Sequence, residues 1–202
     1  DRFSFELTGD STADRFVFQG IQYLEDLPGL SYHAIGVNGA STKSYLRCAD
    51  LPDQLSALSA DLVILGIGIN DAYGPEDSFD ADAFGLRYDS LLNFFEAVNP
   101  AVVFVFMSNN DSYYKRRYPN RNAVKVQQVM KRLAKERGGA YWDLTSLMGG
   151  LGSVDAWKEA GLAKKDRIHF TRAGYQLQAQ LFIHAFQQEW IQQLRSKSSR
   201  RP

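Results

Sequence analysis

Two short and almost uninterrupted apolar runs constrain the fold of this chain more than any other feature. One run covers residues 61–67, the other covers residues 100–107, and a helical pattern over residues 80–98 separates them. Apolar runs of this length are typical of strands buried on both faces, as in a parallel sheet covered by helices. Parallel strands also need a crossover connection, which is usually a helix. The two runs therefore predict the middle of a parallel α/β sheet.

The rest of the chain continues this alternation. Further strands are predicted over residues 3–8, 31–37 and 140–144, and further helices over residues 13–27, 122–137 and 172 to about 194. No repeat, low-complexity tract or linker divides the pattern. We therefore predict one α/β domain over residues 1–195 with a mostly parallel five-stranded sheet, followed by a basic C-terminal tail over residues 196–202.

The charge balance argues against some classes of partner. Lys and Arg together number 23, as do Asp and Glu, so the 202-residue chain has no net charge. This balance argues against nucleic acid and anionic membranes as partners. No segment is apolar over the ~20 residues that a membrane span needs. Cys48 is the only cysteine, so no intrachain disulfide can form, and we expect Cys48 to be a small buried residue.

The compartment and the oligomeric state are left open by the sequence. The chain begins with Asp1 and shows no signal peptide. If an export signal was removed from the chain, an extracytoplasmic location, either periplasmic or secreted, is favoured.

Small and polar residues follow three of the predicted strands. Gly9, Asp10 and Ser11 follow the first strand, Gly39 follows the second, and Asn70 follows the third. Ligands bind at the carboxyl edge of open α/β sheets, so these residues are expected at one crevice. Ser11 is the candidate nucleophile, and a serine needs an adjacent base for this role.

His169 is the candidate base because it lies in a polar loop before the last helix. Asp166 precedes it by three residues, and in a turn this spacing brings a carboxylate to the imidazole Nδ1. The Ser11 and Gly39 backbone N–H groups and the Asn70 side-chain amide would form an oxyanion hole. We therefore predict a catalytic site for acyl transfer that is formed by Ser11, Asp166 and His169.

The loop after the fourth predicted strand is polar and aromatic. Asn109, Asn110 and Tyr113 are candidate substrate-binding residues, since such side chains hydrogen-bond to and stack on a sugar. The alternative is a solvated loop kept soluble by its lysine and arginines, and both interpretations stay open. No His, Cys or carboxylate cluster has metal-ligand spacing, so we predict no metal and no cofactor.

These blocks resemble the SGNH (GDSL-type) hydrolases. The residues that carry the resemblance are Gly9-Asp10-Ser11, Gly39, Gly68-Ile69-Asn70-Asp71 and Asp166-Arg167-Ile168-His169. The resemblance implies a flavodoxin-like three-layer α/β/α sandwich and ester hydrolysis through an acyl-serine intermediate. The loop at residues 108–121 is also similar to a stretch in bacterial members thought to act on acetylated glycans, such as cell-wall O-acetylesterases.

The leading hypothesis is a serine esterase for short acyl esters, most simply acetyl groups on a carbohydrate. One alternative is a non-catalytic glycan-binding domain on the same scaffold. Another is an acyltransferase or thioesterase that uses the same serine. The substrate in each case is a small-molecule or glycan ester.

Overall fold

The computed structural model describes residues 4, 6, 21 and 27–198, with side chains described up to residue 193. The chain divides into two compact units, Asp1–Ile35 and Gly36–Pro202. The predicted first strand and first helix fall outside the described residues except at single positions. Gly9, Asp10 and Ser11 also lie outside the described residues.

The described sheet has three parallel strands in the order β1-β2-β5. Strand β1 is Leu62–Leu65, β2 is Val103–Met107 and β5 is Ala140–Trp142. Leu62 pairs with Val103 at the start of the β1–β2 ladder, and Val105 pairs with Ala140 at the start of the β2–β5 ladder. The structure thus confirms an α/β protein with a parallel sheet, and its described part contains three of the five predicted strands.

Seven helices and a small hairpin complete the described part of the chain. The hairpin pairs strand β3 (Tyr113–Tyr114) with the antiparallel strand β4 (Tyr118–Pro119). The helices are α1 (Thr42–Leu46), α2 (Leu51–Leu58), α3 (Ala81–Val98), α4 (Asn122–Glu136), α5 (Leu144–Met148), α6 (Val154–Glu159) and α7 (Arg172–Ser198).

The main core lies between the sheet and helices α3 and α4. Helix α3 begins at Asp80, whose carboxylate accepts a hydrogen bond from the Ala83 N–H. Its residues Phe84, Tyr88 and Leu92 are fully buried, at a spacing of four that puts them on one helix face. They pack against the strand residue Phe106 in one continuous cluster. This packing holds β1 and β2 in register and fixes where the loops after them begin.

A second core cluster supports the chain just before α7. Its buried members come from α5, α6 and the following loop: Leu144, Met148, Val154, Trp157, Ala163 and Phe170. Phe170 is 1% exposed, and its ring stacks on that of Trp157 with centroids 5.0 Å apart. This cluster anchors the chain directly after His169.

Two sequence predictions about strands are wrong in the described residues. Residues 31–37 form no strand and are exposed throughout. A β-favouring composition becomes a strand only where pairing and half-burial supply the stabilisation. The strand in the 61–67 run is not buried on both faces either, because Leu62 and Ile64 are each 40% exposed.

Three local features differ from the sequence-based expectations. The hairpin β3–β4 lies within the loop predicted at residues 108–121, and α5 begins at Leu144, the last residue of the strand predicted over residues 140–144. Cys48 is exposed rather than buried, and its thiol faces the Ser44 carbonyl at 3.5 Å. Two-residue strands and single-turn helices are too short to produce a detectable hydrophobic period, which is why the sequence did not reveal them.

Candidate active site

The loop carrying Gly39 and the loop carrying Asn70 are joined by a direct hydrogen bond. The Asn70 Nδ2 donates to the Ala40 carbonyl at 2.8 Å. Gly39 has a φ of +75°, in the left-handed region that favours glycine, and the turn is closed by the Ala40 N–H donating to the Val37 carbonyl. The Asn70 amide has two N–H groups, so one stays available beside Gly39.

Asp71 braces the same two loops from inside. Its carboxylate accepts hydrogen bonds from the Thr42 backbone N–H at 3.1 Å and from the Thr42 hydroxyl at 2.5 Å. The Arg87 Nε donates to that hydroxyl oxygen, and its Nη2 lies 3.9 Å from the carboxylate. The Asp71 side chain is only 2% exposed. Asp71 therefore holds the loops of Gly39 and Asn70 together.

Gly68 allows the loop after β1 to pass close to the loop after β2. Its φ is +147°, and a Cβ here would lie 2.8 Å from both the Asn109 Oδ1 and the Val126 Cγ1. Asn109 in turn donates from Nδ2 to the Gly66 carbonyl at 2.7 Å. Because β1 and β2 are parallel, both loops leave the same edge of the sheet.

Asp166 and His169 form a hydrogen-bonded pair. The Asp166 Oδ2 lies 3.0 Å from the His169 Nδ1. The other carboxylate oxygen accepts from the backbone N–H groups of Ile168 and His169, each at 2.9 Å. Both oxygens of this carboxylate therefore have hydrogen-bond partners. The contact with Nδ1 fixes the orientation of the imidazole ring. The His169 side chain is 48% exposed, and its Nε2 forms no hydrogen bond with a described residue.

The electrostatics of Asp166 favour its charged form. Partial burial acts to raise the pKa of the carboxyl group, but the hydrogen bonds from His169 and Ile168 outweigh this and hold the pKa below its ordinary value. The carboxylate therefore stays ionised at neutral pH, and it can stabilise an imidazolium on His169.

The Asp166–His169 loop is also tied to the start of α7. The Lys164 N–H donates to the His169 carbonyl at 2.8 Å, and Phe170 enters the second core cluster. Thr171 Oγ1 accepts from the Gly174 N–H, so Thr171 caps α7. The loop is therefore fixed on the side that leads into the helix.

The loop after β2 holds the Asp166–His169 loop from its other side. Asn110 Nδ2 donates to the Ile168 carbonyl at 2.8 Å, and the Tyr113 N–H donates to the Arg167 carbonyl at 2.9 Å. Asp155 accepts from the Tyr113 hydroxyl at 2.9 Å and from the Arg167 Nε at 2.6 Å. Asp155 and Arg167 were missed by the sequence analysis, because no local pattern distinguishes them from ordinary surface charges.

The three predicted substrate-binding residues thus have internal hydrogen bonds. Asn109, Asn110 and Tyr113 each use a side-chain group to hold a neighbouring loop or helix. Their contact with substrate stays a prediction, whereas their part in shaping the loops is observed.

A cavity opens beside Gly39. Its volume is about 180 Å³. It is lined by Val37, Asn38, Gly39, Ala40, Ser44, Tyr45 and Cys48. This volume lies below the ~300–1,000 Å³ of pockets that enclose drug-sized ligands.

Within residues 27–193, no group of three or more His, Cys, Asp or Glu side chains is placed to hold a metal ion. No helix in the described part of the chain has the length and apolar character to cross a bilayer.

The structure brings four of the five predicted catalytic and oxyanion-hole residues into two defined clusters. Gly39 and Asn70 form one, and Asp166 and His169 form the other. The fifth, Ser11, lies outside the described residues. The fold is a parallel sheet packed with helices, and a carboxylate-bound histidine lies in the loop before the last helix. This combination is suited to hydrolase chemistry.

The chain belongs to the GDSL-like lipase/acylhydrolase family, whose model matches residues 7–177. This membership places it among the carboxylic ester hydrolases. A comparison with curated protein sequences found no match.

Several solved structures share the fold. A peptidoglycan O-acetylesterase is 26% identical with a TM-score of 0.69, and the match covers 77% of this chain and 45% of that chain. This chain thus spans less than half the length of that relative. A lipase/acylhydrolase from Enterococcus faecalis is 18% identical with a TM-score of 0.57, covering 75% and 72% of the two chains. A mutant acetyl-xylooligosaccharide esterase from Geobacillus is 22% identical with a TM-score of 0.55, covering 72% and 67%.

Proposed function

We propose that the protein is a serine esterase that removes short acyl groups, most simply acetyl, from a carbohydrate through an acyl-serine intermediate. The observation that carries this proposal is the His169–Asp166 pair at 3.0 Å in a member of an acylhydrolase family. A histidine held in this way at Nδ1 is suited to accept a proton at Nε2 from a nucleophile.

Ser11 is the nucleophile in this proposal. Its hydroxyl oxygen attacks the ester carbonyl while His169 Nε2 takes the hydroxyl proton, and Asp166 stabilises the imidazolium. His169 then gives this proton to the departing alkoxide, which leaves an acyl ester on Ser11. In the second half, His169 removes a proton from water as the water oxygen attacks the acyl carbon. His169 then returns this proton to the Ser11 oxygen as the acyl–oxygen bond breaks, which releases the acid and regenerates free Ser11.

The negative charge on the carbonyl oxygen needs hydrogen-bond donors during both attacks. We assign the backbone N–H groups of Ser11 and Gly39 and the second Asn70 N–H to this role. Two structural features support the assignment for Gly39 and Asn70. The Asn70–Ala40 hydrogen bond holds the amide beside the Gly39 turn, and the Gly39 N–H donates to no other described residue. Removal of one such donor typically lowers the rate on the order of 10²–10³-fold.

The comparisons support a short acyl group and a carbohydrate. The structures compared above include a peptidoglycan O-acetylesterase and an acetyl-xylooligosaccharide esterase. Neither relative establishes the substrate of this chain, so the substrate is part of the proposal.

The first experiment is hydrolysis of p-nitrophenyl acetate by the wild type, Ser11→Ala and Ser56→Ala. Ser56 lies exposed on α2 and serves as the matched control. We expect Ser11→Ala to abolish turnover and labelling by a fluorophosphonate probe, and Ser56→Ala to keep both. Full turnover in Ser11→Ala would reject the acyl-serine mechanism.

A second experiment tests the substrate. The wild type is offered p-nitrophenyl esters of increasing chain length, acetylated xylan and acetylated peptidoglycan, and free acetate is measured. We expect the highest kcat/KM for the acetyl ester and acetate release from at least one glycan. A preference for long acyl chains would overturn the carbohydrate proposal, and transfer of acetyl to an added alcohol without acetate release would indicate a transferase.

A further inference from the structure

The hairpin β3–β4 contacts both halves of the candidate active site. On one side, the Tyr113 N–H donates to the carbonyl of Arg167, which lies between Asp166 and His169. On the other side, the Lys115 N–H donates at 3.1 Å to the hydroxyl of Tyr73, three residues after Asn70. The hairpin therefore lies on the rim of the site, bonded to the loop of His169 and to the loop of Asn70.

The tip of this hairpin carries three consecutive cations. Lys115, Arg116 and Arg117 are all exposed, and among the described residues none of their side chains forms an ion pair. Nearby cations behave differently. Arg121 lies 3.6 Å from Glu76, and Lys125 bonds to Asp77 at 2.9 Å. A chain without net charge thus concentrates uncompensated positive charge at one point of the rim.

The backbone that presents these cations is held in an uncommon conformation. Lys115 and Arg116 have φ values of +51° and +60°, in the left-handed region that non-glycine residues seldom adopt. The Arg116 carbonyl accepts a hydrogen bond at 2.7 Å from the Nη1 of Arg167. This contact couples the cationic tip to the loop that carries His169.

Tyrosine rings flank the cations. Tyr118 is 55% exposed and Tyr73 is 41% exposed, and Tyr73 packs edge-on against Tyr114 with centroids 5.1 Å apart. The Lys115 ammonium lies 5.2 Å from the centre of the Tyr114 ring. Exposed rings offer flat apolar surfaces to sugars, and arginine and lysine bind carboxylates. The two together suit a ligand that combines sugar rings with carboxylates.

We propose that the hairpin tip is a subsite for the carboxylates of an acetylated, carboxylate-bearing glycan, which Lys115 and Arg117 bind while its ester lies at Ser11 and His169. This inference rests on the proposed esterase function and narrows its substrate class. The carboxylates could belong to the sugar itself, as in a uronic acid, or to a peptide attached to the glycan. A uronic acid and an attached peptide both present the carboxylates that the cations of the hairpin tip would bind.

The test compares three acetylated substrates of matched length: oligogalacturonides, muropeptides and neutral cello-oligosaccharides. The variants are Lys115→Gln/Arg117→Gln and the control Arg132→Gln/Lys135→Gln, which removes two exposed cations on α4. Steady-state kcat and KM are measured at low and high salt, with p-nitrophenyl acetate as the reference substrate.

We expect the hairpin variant to raise KM for one or both anionic substrates by about 3- to 10-fold, the effect of losing two exposed ion pairs. Its kcat, its KM for the neutral substrate and its turnover of p-nitrophenyl acetate should stay unchanged. High salt should raise the wild-type KM for anionic substrates in the same direction. A rise in KM for the oligogalacturonides would identify a uronic acid as the source of the carboxylate, and a rise for the muropeptides would identify an attached peptide.

Equal KM values for neutral and anionic glycans, or an equal response to both double variants, would overturn the subsite while leaving the esterase intact. Absence of p-nitrophenyl acetate turnover in the wild type would instead reject the proposed function. The two failures are therefore distinguished by the reference substrate.

Discussion

The carboxylate of Asp71 accepts hydrogen bonds from both the backbone N–H and the hydroxyl of Thr42, 29 residues earlier in the chain. Thr42 is the first residue of α1, which directly follows the Gly39 turn. The residue before Asp71 is Asn70, which bonds to Ala40. One buried carboxylate thus fixes the separation of Gly39 and Asn70, two of the three proposed oxyanion-hole donors.

Removal of the Asp71 carboxylate should therefore reduce both stability and activity. Asp71→Ala leaves the buried Thr42 N–H and hydroxyl without their acceptor, at an expected cost of about 1–3 kcal/mol in the free energy of unfolding. The measurement is urea denaturation together with kcat/KM. Asp77→Asn is the control, because asparagine tolerates the left-handed φ of +65° at this position, Asp77 is 83% exposed and its pair with Lys125 contributes little. Equal stability of the two variants would show that Asp71 is not the brace.

Loss of the charge on Asp166 should impair catalysis more than folding. Asp166→Asn keeps the size of the side chain but removes the acceptor that fixes the tautomer of His169. We expect kcat to fall on the order of 10²–10⁴-fold, the usual contribution of a general base. Thermal unfolding should shift by only a few degrees. A kcat within a factor of three of the wild type would exclude the assigned role of the pair.

The close approach at Gly68 predicts a steric effect. In Gly68→Ala the new Cβ would meet Asn109 Oδ1 and Val126 Cγ1 at 2.8 Å, and the φ of +147° is unfavourable for alanine. We expect a destabilisation of about 1–3 kcal/mol in chemical denaturation. Gly36→Ala is the matched control, because its Cβ would meet nothing within 4 Å. Equal effects of the two substitutions would contradict this account.

Asp143 should contribute stability that depends on pH. Burial acts to raise the pKa of this carboxyl group, but hydrogen bonds from the Ser146 N–H and from Lys131 lower it below its ordinary value. Because the folded-state pKa is lowered, the carboxylate stabilises the protein at pH values above its unfolded-state pKa of about 4. This stabilisation is lost as pH falls through the folded-state pKa.

The variant Asp143→Asn keeps a helix-capping side chain on α5 while it removes the charge. We expect it to be less stable than the wild type by up to about 1 kcal/mol at pH 7, and the difference to shrink as pH falls below the unfolded value of about 4. Denaturation midpoints across this pH range give the result. Asp82→Asn, which removes one exposed charge on α3, is the control. A constant deficit in Asp143→Asn would argue against linkage.

Much of the fold and part of the site could be predicted from local sequence. The apolar runs located β1 and β2, and the spacing of Phe84, Tyr88 and Leu92 located α3, because burial imposes a period on the chain. The contact between Asp166 and His169 could also be predicted, because a turn brings together two side chains that are three residues apart.

The long-range hydrogen bonds that hold the loops of the site could not be predicted in this way. Asn110 bonds to the Ile168 carbonyl 58 residues away, and Asp155 joins the hairpin to Arg167. Such contacts depend on how helices and loops pack on the sheet. A single sequence records which residues are present but not which distant pairs meet.

The sequence by itself determined the class of fold, the order of the polar blocks after the strands and the local Asp166–His169 pair, because these follow from short-range spacing and hydrophobic period. Only the tertiary structure decided that residues 31–37 form no strand and that Asn70 and Asp71 hold the Gly39 loop. It also decided that a cationic hairpin joins both halves of the site. The physical reason is that pairing, burial and charge compensation are properties of neighbours in space.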